Sequence, residues 1–235
     1  GQRSQIGDLA LIAAKVKAGD FAGLLAAQAE GRSVGALFDQ LVAAWAEAGR
    51  GEMGDALAAF DKVAETKGIE VFGTYHKALA LAAVGDFEGA DALFSGKSAP
   101  EIKLLRRGVM AHAQVLSQLE RNPEAVALLD ATFTRGQDPA ADVLRARLAA
   151  GEIVPYDIAV DAQQGLAEVF YTMATALNGE AEDGYTLIYS RAAAWLRPDH
   201  TEAVLMSAAL LNGQGQLDLA AETYDAVPTD APEFY

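Results

Sequence analysis

The sequence predicts an all-α protein in which short helices recur in pairs, and three observations lead to this prediction. Alanine is abundant and β-branched residues are sparse, which favours helix. Apolar residues recur at helical spacing along most of the chain, and no convincing segment shows the period of two that a strand requires. Glycine-rich and proline-containing turns separate runs of about 10–18 residues, the usual length of globular helices. We therefore expect about 12–14 short helices.

The helix boundaries can be read in chain order from turn and cap residues. Gly19-Asp20-Phe21 and Gly85-Asp86-Phe87 repeat one tripeptide between alanine-rich apolar stretches. We interpret each glycine as the end of one helix and each aspartate as the N-cap of the next. Further along, Asn122-Pro123 and Asp138-Pro139 place a cap residue before a proline at the first helical position. Pro155 is expected to start a new element after an irregular stretch.

A repeat of 34 residues connects these helices into similar pairs. Gly51, Ala56 and Phe60 fall on Gly85, Ala90 and Phe94 at this offset. The offset recurs near the other end of the chain, between the positions Ala181 and Gly215, Thr186 and Ala220, Ser190 and Tyr224, Pro198 and Pro232. Small residues also recur on the first helix of each pair, at Ala44, Ala78, Ala113, Ala174 and Ala208.

This pattern resembles the tetratricopeptide repeat (TPR) family, whose two-helix repeats carry Ala-x3-Phe on the second helix and a closing proline. Ala56-x3-Phe60, Ala90-x3-Phe94 and Ala220-x3-Tyr224 fit it, as do Pro198 and Pro232. The tryptophan of the family's opening position is replaced throughout, by Gln40, Thr74, Val109, Phe170 and Val204. The resemblance implies one right-handed α-solenoid domain over residues 1–235, built from about six to seven antiparallel helix pairs. One degenerate pair is expected near residues 138–166, where the period is lost.

Composition excludes several classes of function. The formal charge of −15 argues against nucleic acid as a partner, because phosphate contacts need clustered lysine and arginine. The absence of cysteine excludes disulfides, thiol catalysis and cysteine-based zinc sites. No apolar run reaches the length of a membrane span. Because the chain starts without methionine and its last repeat ends bare, we expect a piece of a longer repeat protein.

The search for catalytic chemistry is unproductive. His76, His112 and His200 lie in three different repeats, without metal-binding spacing. The acidic cluster at residues 180–183 is interpreted as a helix N-terminus. Asp218, Glu222 and Asp225 are spaced to form one acidic stripe, either a solvated face or a surface for a basic partner. We expect no enzyme, cofactor or metal. The weakest alternative is a small-molecule pocket in the irregular region, beside Tyr156 or Gln163.

The resemblance implies that first helices line a concave groove where partner proteins bind. The positions expected in this groove are Leu41, Trp45, Tyr75, Leu79, Met110, Gln114, Tyr171 and Thr175. They are aromatic, aliphatic and uncharged, which suits an apolar or helical partner segment, with the aromatic residues as anchors. The absence of lysine and arginine argues against capture of a peptide carboxylate. Each aromatic residue could instead simply pack between repeats.

These observations predict a non-catalytic scaffold that binds a protein segment in its groove. The alternative is a structural subunit that associates through uncapped ends, with Leu219 and Tyr224 on the C-terminal face and a homo-oligomer as one outcome. The stretches AHAQVLSQLERN and LRPDHTEAVLMSAALL are similar to bacterial, proteobacterial-like TPR proteins. Some of those proteins are exported, which favours the periplasm over the cytoplasm.

Overall fold

The all-α prediction is confirmed. The computed structural model describes residues 4–97, 99–103, 105–229 and 231–234, and within these ranges it contains helices and no strand. The helices are α1 Gln5–Lys17, α2 Phe21–Ala29, α3 Ala36–Gly49, α4 Met53–Ala64, α5 Glu70–Ala83, α6 Phe87–Phe94, α7 Ala99–Ile102, α8 Arg106–Gln118, α9 Asn122–Thr132, α10 Pro139–Ala149, α11 Ala162–Leu177, α12 Asp183–Leu196, α13 Thr201–Gly213 and α14 Leu217–Tyr224. A 3₁₀ turn spans Pro232–Phe234.

The two Gly-Asp-Phe tripeptides form the same joint between helices, as predicted. Gly19 and Gly85 have φ values of +68° and +83°, a conformation that glycine adopts without a steric penalty. Asp20 then accepts a hydrogen bond from the Gly23 backbone N–H at the start of α2. Asp86 does the same for the N-terminus of α6, so each tripeptide ends one helix and caps the next.

Small residues occupy the helix contacts that the repeat predicts. All five first-helix alanines are fully buried, at Ala44, Ala78, Ala113, Ala174 and Ala208. On the second helices, Ala56 and Ala90 are also fully buried, and Phe60 and Phe94 are buried beside them. The last pair departs from this pattern, because Tyr224 is 42% exposed. Alanine at these positions lets helices approach closely, and the aromatic ring fills the remaining space.

The chain divides into two compact units, and each is described separately. Unit 1 comprises residues 1–56 and 162–234. In it α1, α2 and α3 pack in chain order, and α11, α12, α13 and α14 do the same. The two groups meet where α3 packs on α11 and where α1 packs on α11 and α12. A linear solenoid has contacts only between neighbouring repeats, so these contacts between distant parts of the chain depart from the solenoid expectation within this unit.

Aromatic side chains form the core between α3, α11 and α12. The ring of Phe38 lies 5.0 Å from the ring of Phe170 and 5.6 Å from that of Tyr189, both in edge-to-face geometry. Trp45, one of the predicted groove residues, is 1% exposed and packs on Gly165 of α11. A β-carbon added at Gly165 would lie 2.4 Å from the indole ring of Trp45. The absence of a side chain at this glycine therefore sets how closely α3 approaches α11.

Unit 2 comprises residues 57–161. Its helices α5, α6, α8, α9 and α10 pack in chain order, and the short helix α7 contacts α5 and α6. After α10 the chain continues without helix from Gly151 to Asp161, and Pro155 lies inside this stretch. The degenerate pair predicted near residues 138–166 therefore contains one helix, α10, before α11 begins. The expectation that Pro155 starts a new element is wrong, since no helix or strand begins there. The single continuous solenoid, its handedness and its number of pairs stay predictions.

Replacing Gly165 by alanine is expected to destabilise the protein by about 1–2 kcal/mol. Overpacking against Trp45 outweighs the higher helix propensity of alanine. The measurement is the free energy of unfolding from urea denaturation followed by circular dichroism. Gly184→Ala in α12 is the matched control, because no atom lies within 4 Å of a β-carbon added there, and it should be neutral or stabilising. An unchanged stability for Gly165→Ala would contradict the proposed packing constraint.

Candidate functional site

The structure buries most of the predicted groove residues. Leu41, Trp45, Tyr75, Leu79, Met110 and Gln114 are each at most 8% exposed. Tyr171 is partly exposed and Thr175 is exposed, and both lie on α11. The Tyr171 ring lies 4.5 Å from the imidazole ring of His200. Trp45 and Tyr75 therefore serve as core residues rather than exposed anchors, which corrects the role that the sequence suggested for them.

In unit 2, part of the predicted groove is covered by the chain's own extended segment, residues 152–158. Burial alternates along this segment: Val154, Tyr156 and Ile158 are buried, whereas Pro155 and Asp157 are exposed. This alternation is typical of an extended chain lying on an apolar surface. The Tyr156 hydroxyl lies 3.4 Å from the backbone carbonyl oxygen of Leu79 in α5, which it reaches as a donor.

Polar side chains of α8 hold the backbone of this segment. The Gln114 side chain donates to Asp157 Oδ1 at 2.8 Å, and its Oε1 accepts from the Asp157 backbone N–H at 3.1 Å. Gln118 donates to the carbonyl oxygen of Val154, and Ser117 Oγ accepts from the Val154 N–H. These hydrogen bonds satisfy backbone groups that no secondary structure satisfies. Leu79 and Gln114, two of the predicted groove residues, thus contact the segment 152–158 of the same chain.

An open apolar cleft lies elsewhere, in unit 1, with a volume of about 740 Å³. Its lining comes from α1, α12, α13 and α14 and from the turns after α12 and α14. The lining residues are Ile6, Leu9, Ala10, Ala13, Ile188, Arg191, Ala192, Ala194, Trp195, Pro198, Val204, Ser207, Leu219, Glu222, Thr223 and Ala226. Only four of these sixteen side chains are polar or charged. We call this feature the α1–α14 cleft.

Lys17, at the end of α1, fixes one wall of the α1–α14 cleft. Its Nζ donates to the carbonyl oxygens of Trp195 and Leu196 at 3.1 and 3.5 Å, at the C-terminus of α12. These carbonyls have no partner within the helix, and a cation there also interacts favourably with the helix dipole. Lys17 Nζ also lies 5.6 Å from the centre of the Trp195 ring, a cation–π distance. The indole ring therefore has a defined place at the edge of the cleft.

Three large apolar side chains of the cleft remain open to solvent. Ile6 is 54% exposed, Trp195 51% and Leu219 42%. Exposed apolar residues scattered singly are ordinary, whereas a group around one concave surface is typical of a binding site. Sequence reasoning named Leu219 as an end residue but missed Ile6 and Trp195. Helical periodicity contains no signal for them, because the packing of α1 on α12 joins distant parts of the chain.

The polar groups in the cleft do not form a reactive constellation. Ser207 Oγ lies 2.8 Å from the Ala203 carbonyl oxygen and 2.9 Å from Ser190 Oγ, and Thr223 donates to the carbonyl oxygen of Leu219. Both hydroxyls are therefore already hydrogen bonded. Arg191 and Glu222 are exposed at the surface of the cleft. Within the described residues, no group of three or more metal-ligating side chains could hold a metal ion.

The histidines form separate contacts inside the two units. In unit 2, His112 Nε2 lies 2.8 Å from Asp91 Oδ1, while Arg121 pairs with Asp91 Oδ2 at 2.5 Å. The His112 ring stacks on Phe94. Burial lowers the pKa of His112, although the Asp91 hydrogen bond acts in the opposite direction. Burial also opposes ionisation of Asp91, but its bonds with His112 and Arg121 prevail and hold its pKa below the usual value.

In unit 1, His200 caps α13 from a buried position. Its Nδ1 accepts from the Ala203 backbone N–H at 3.3 Å, while its Nε2 lies 3.4 Å from Glu168 Oε2. His200 and Glu168 are each 1% exposed. Substrate in solution could not reach this pair, so we interpret it as structural.

Within the described ranges, no helix has the length and apolar character needed to cross a bilayer.

Comparison with known proteins gives no relative from which to assign a function. No family model matches this chain, and no curated protein matches it in sequence. The resemblance to TPR proteins therefore stays a prediction from the repeat itself.

Replacing Gln114 by alanine is expected to cost about 2 kcal/mol of stability, because the Asp157 backbone N–H and carboxylate lose their common partner. Hydrogen exchange of the Asp157 amide should accelerate together with that loss. Urea denaturation and hydrogen exchange followed by NMR measure the two effects. Gln137→Ala is the control, since Gln137 is exposed in the same unit. Unchanged protection of Asp157 would show that Gln114 does not hold the segment.

The stability of the wild-type protein should fall as the pH decreases from about 7.5 to about 5.5. The unfolded imidazole of residue 112 binds a proton near its ordinary pKa of about 6.5, whereas the folded one binds it only at lower pH. The unfolded state thus takes up more protons in this range and gains stability on acidification. His112→Gln should show a weaker dependence, measured by urea denaturation at each pH. Identical pH dependence in both proteins would contradict the lowered pKa.

Proposed function

We propose that this protein is a non-catalytic scaffold that binds a segment of a partner protein in the α1–α14 cleft. The observation that carries the proposal is the combination of an open apolar concavity with half-exposed Ile6, Trp195 and Leu219 around it. Tryptophan is among the residues that contribute most to protein–protein binding. Burying these three side chains against a partner would remove apolar surface that the folded chain leaves in water.

The chemistry of the cleft favours a protein segment over a small substrate. A small-molecule site usually holds a few precisely placed polar groups that orient the ligand. The hydroxyls of Ser207 and Thr223 are already hydrogen bonded, and Arg191 and Glu222 are exposed rather than enclosed. Binding to a surface of this kind gains most of its free energy from covering apolar area, and a folded or helical segment covers such area.

The repeat supports the same class of function by resemblance. As part of the proposal, the helix pairs follow the TPR pattern of a right-handed α-solenoid with six to seven pairs, a scaffold architecture. The fully buried first-helix alanines and the two identical Gly-Asp-Phe joints support this pattern. The proposed binding surface differs from the one expected from the sequence, because Trp45, Tyr75, Leu79, Met110 and Gln114 are buried.

A second candidate is assembly with another copy of the chain. It is favoured by the exposure of Leu219 and Tyr224 on α14, the residues that the sequence placed on the C-terminal face. Sedimentation over a range of protein concentrations separates the two candidates. A concentration-dependent dimer that is lost in Leu219→Ala would favour assembly. A strict monomer would exclude assembly and leave the scaffold as the remaining candidate.

Trp195→Ala and Leu219→Ala are each expected to weaken partner binding by about tenfold or more, as substitutions of central anchor residues do. Because both side chains are about half exposed, the accompanying loss of stability should stay below about 1 kcal/mol. The protein would be used as bait in extracts of its source cells, and a captured partner would be purified and titrated by calorimetry.

Leu217→Ala is the matched control for this experiment. Leu217 lies on the same helix and is 63% exposed, but it does not line the cleft. It should bind the partner with wild-type affinity. A partner that binds all three variants equally would place the interaction outside the α1–α14 cleft.

A further inference from the structure

One lip of the α1–α14 cleft is acidic. Asp218 and Glu222 are exposed on α14, and Asp225, the C-cap residue that follows it, is exposed on the same face, one turn further on. In the part of the chain that the structure describes, none of the three has a hydrogen-bond or ion-pair partner for its carboxylate. We call these three residues the acidic lip. Their spacing matches the stripe that the sequence predicted, and the structure adds what lies beside it.

The acidic lip borders the apolar lining directly. Leu219, Glu222 and Thr223 of α14 line the cleft, together with Ala226 in the turn that follows the helix. Glu222 belongs to both sets, so the carboxylate stripe and the apolar stripe are neighbours on the helix surface. The buried residue Ala220 lies on the opposite side of α14 from the stripe. An occupant of the cleft would therefore meet carboxylates along its α14 side as soon as it meets the apolar lining.

The other parts of the cleft differ in charge. The α1 residues of the lining are Ile6, Leu9, Ala10 and Ala13, all uncharged. Arg191, on α12, is the cation of the lining, and in the described residues its side chain has no ion-pair partner. The cleft thus presents carboxylates along its α14 side, uncharged apolar residues along its α1 side and one exposed guanidinium on α12. This asymmetry selects an occupant whose two edges differ in charge.

We propose that the occupant of the α1–α14 cleft is an amphipathic helix with an apolar face and a row of lysine or arginine along the edge that faces α14. This inference rests on the proposed function and adds the chemistry of the partner. The apolar face covers Ile6, Trp195 and Leu219, and the basic edge pairs with the acidic lip. An acidic side chain of this partner helix, at the border of its apolar face, would pair with Arg191.

A helix suits this cleft better than an extended peptide. An extended chain leaves its backbone N–H and C=O groups to be satisfied by its binding site. The segment 152–158 in unit 2 shows what this requires, because Gln114, Ser117 and Gln118 all bind its backbone. Among the described residues that line the α1–α14 cleft there is no comparable row of amides, and the hydroxyls of Ser207 and Thr223 are already hydrogen bonded. A helix satisfies its own backbone and needs only side-chain contacts.

The charges also favour a basic helix over a second copy of the chain as the occupant of the cleft. The protein has a formal charge of −15, and α14 contains no basic residue. Two copies that met through α14 would bring acidic lips together, which is unfavourable. A basic helix gains from the same carboxylates at long range and in contact.

The test uses two helical peptides with one apolar face and different edges. Each has about 14 residues, which is roughly 21 Å of helix and matches the length of α12. The first has lysine along one edge, and the second has glutamine at those positions. Fluorescence anisotropy of the labelled peptides with the full chain gives Kd. We expect the lysine peptide to bind at least tenfold more tightly at about 50 mM NaCl and to lose most of this advantage at about 500 mM, where charges are screened.

Two triple variants identify the carboxylates responsible. D218N/E222Q/D225N should bring the ratio of the two Kd values close to one, because the lysine peptide loses its carboxylate partners. E30Q/E180Q/E182Q changes the net charge equally at exposed sites outside the cleft, and it should keep most of the preference. Circular dichroism confirms that each variant is folded.

The outcomes separate the inference from the proposed function. If both peptides bind equally and Trp195→Ala abolishes their binding, the cleft is a binding site but the inference of a basic edge on its partner is wrong. Loss of the preference in both triple variants alike would assign it to net charge, which also overturns the role of the acidic lip. Binding of neither peptide would overturn helix docking and the proposed function at this cleft together.

Discussion

The close approach of helices through alanine and glycine is the constraint on which the rest of this structure depends. Where α3 meets α11, the bare backbone at Gly165 receives the indole ring of Trp45. Where α5 meets the end of α4, a β-carbon at Gly73 would lie 2.2 Å from the backbone nitrogen of Ala64. Dispersion contacts at such distances are numerous but tolerate little added volume. Small residues therefore determine which helix faces can meet, and these faces in turn determine which surfaces stay open.

The two units use different means to complete their helical layers. In unit 2, the extended segment 152–158 lies where a second helix was expected after α10, and α8 supplies the amides that its backbone needs. In unit 1, α1 packs on α12, and Lys17 of α1 binds the C-terminal end of α12. The α1–α14 cleft beside this contact is open to solvent. Covering a helix face with extended chain requires polar partners at defined positions. Such partners are present on α8, whereas the cleft lining is apolar, and this difference explains why the two surfaces suit different occupants.

Local sequence signals predicted the helices, the joints and the buried alanines because these features depend on neighbouring residues. Gly85 and Asp86 specify a turn and a cap within four residues, and Ala90 and Phe94 follow from the same register. Trp45 illustrates where this reasoning fails. Its position on a first helix indicated the groove, but its burial depends on Gly165, a residue far along the chain. Periodicity reports which face of a helix is apolar and leaves open what covers that face. The cleft was missed for the same reason, since α1 and α12 are distant in sequence.

An apolar cleft beside unpaired carboxylates has a physical consequence for solubility as well as recognition. Exposed Trp195 and Leu219 alone would favour non-specific association, because apolar surface gains free energy from any apolar cover. The acidic lip lies next to that surface and repels other acidic chains, including copies of this one. In the proposed complex, the same carboxylates would attract the basic edge of the partner helix, and the apolar lining would supply most of the contact area. In this proposal attraction and repulsion come from one row of side chains, so the carboxylates that disfavour contact with other acidic chains would also favour a basic partner.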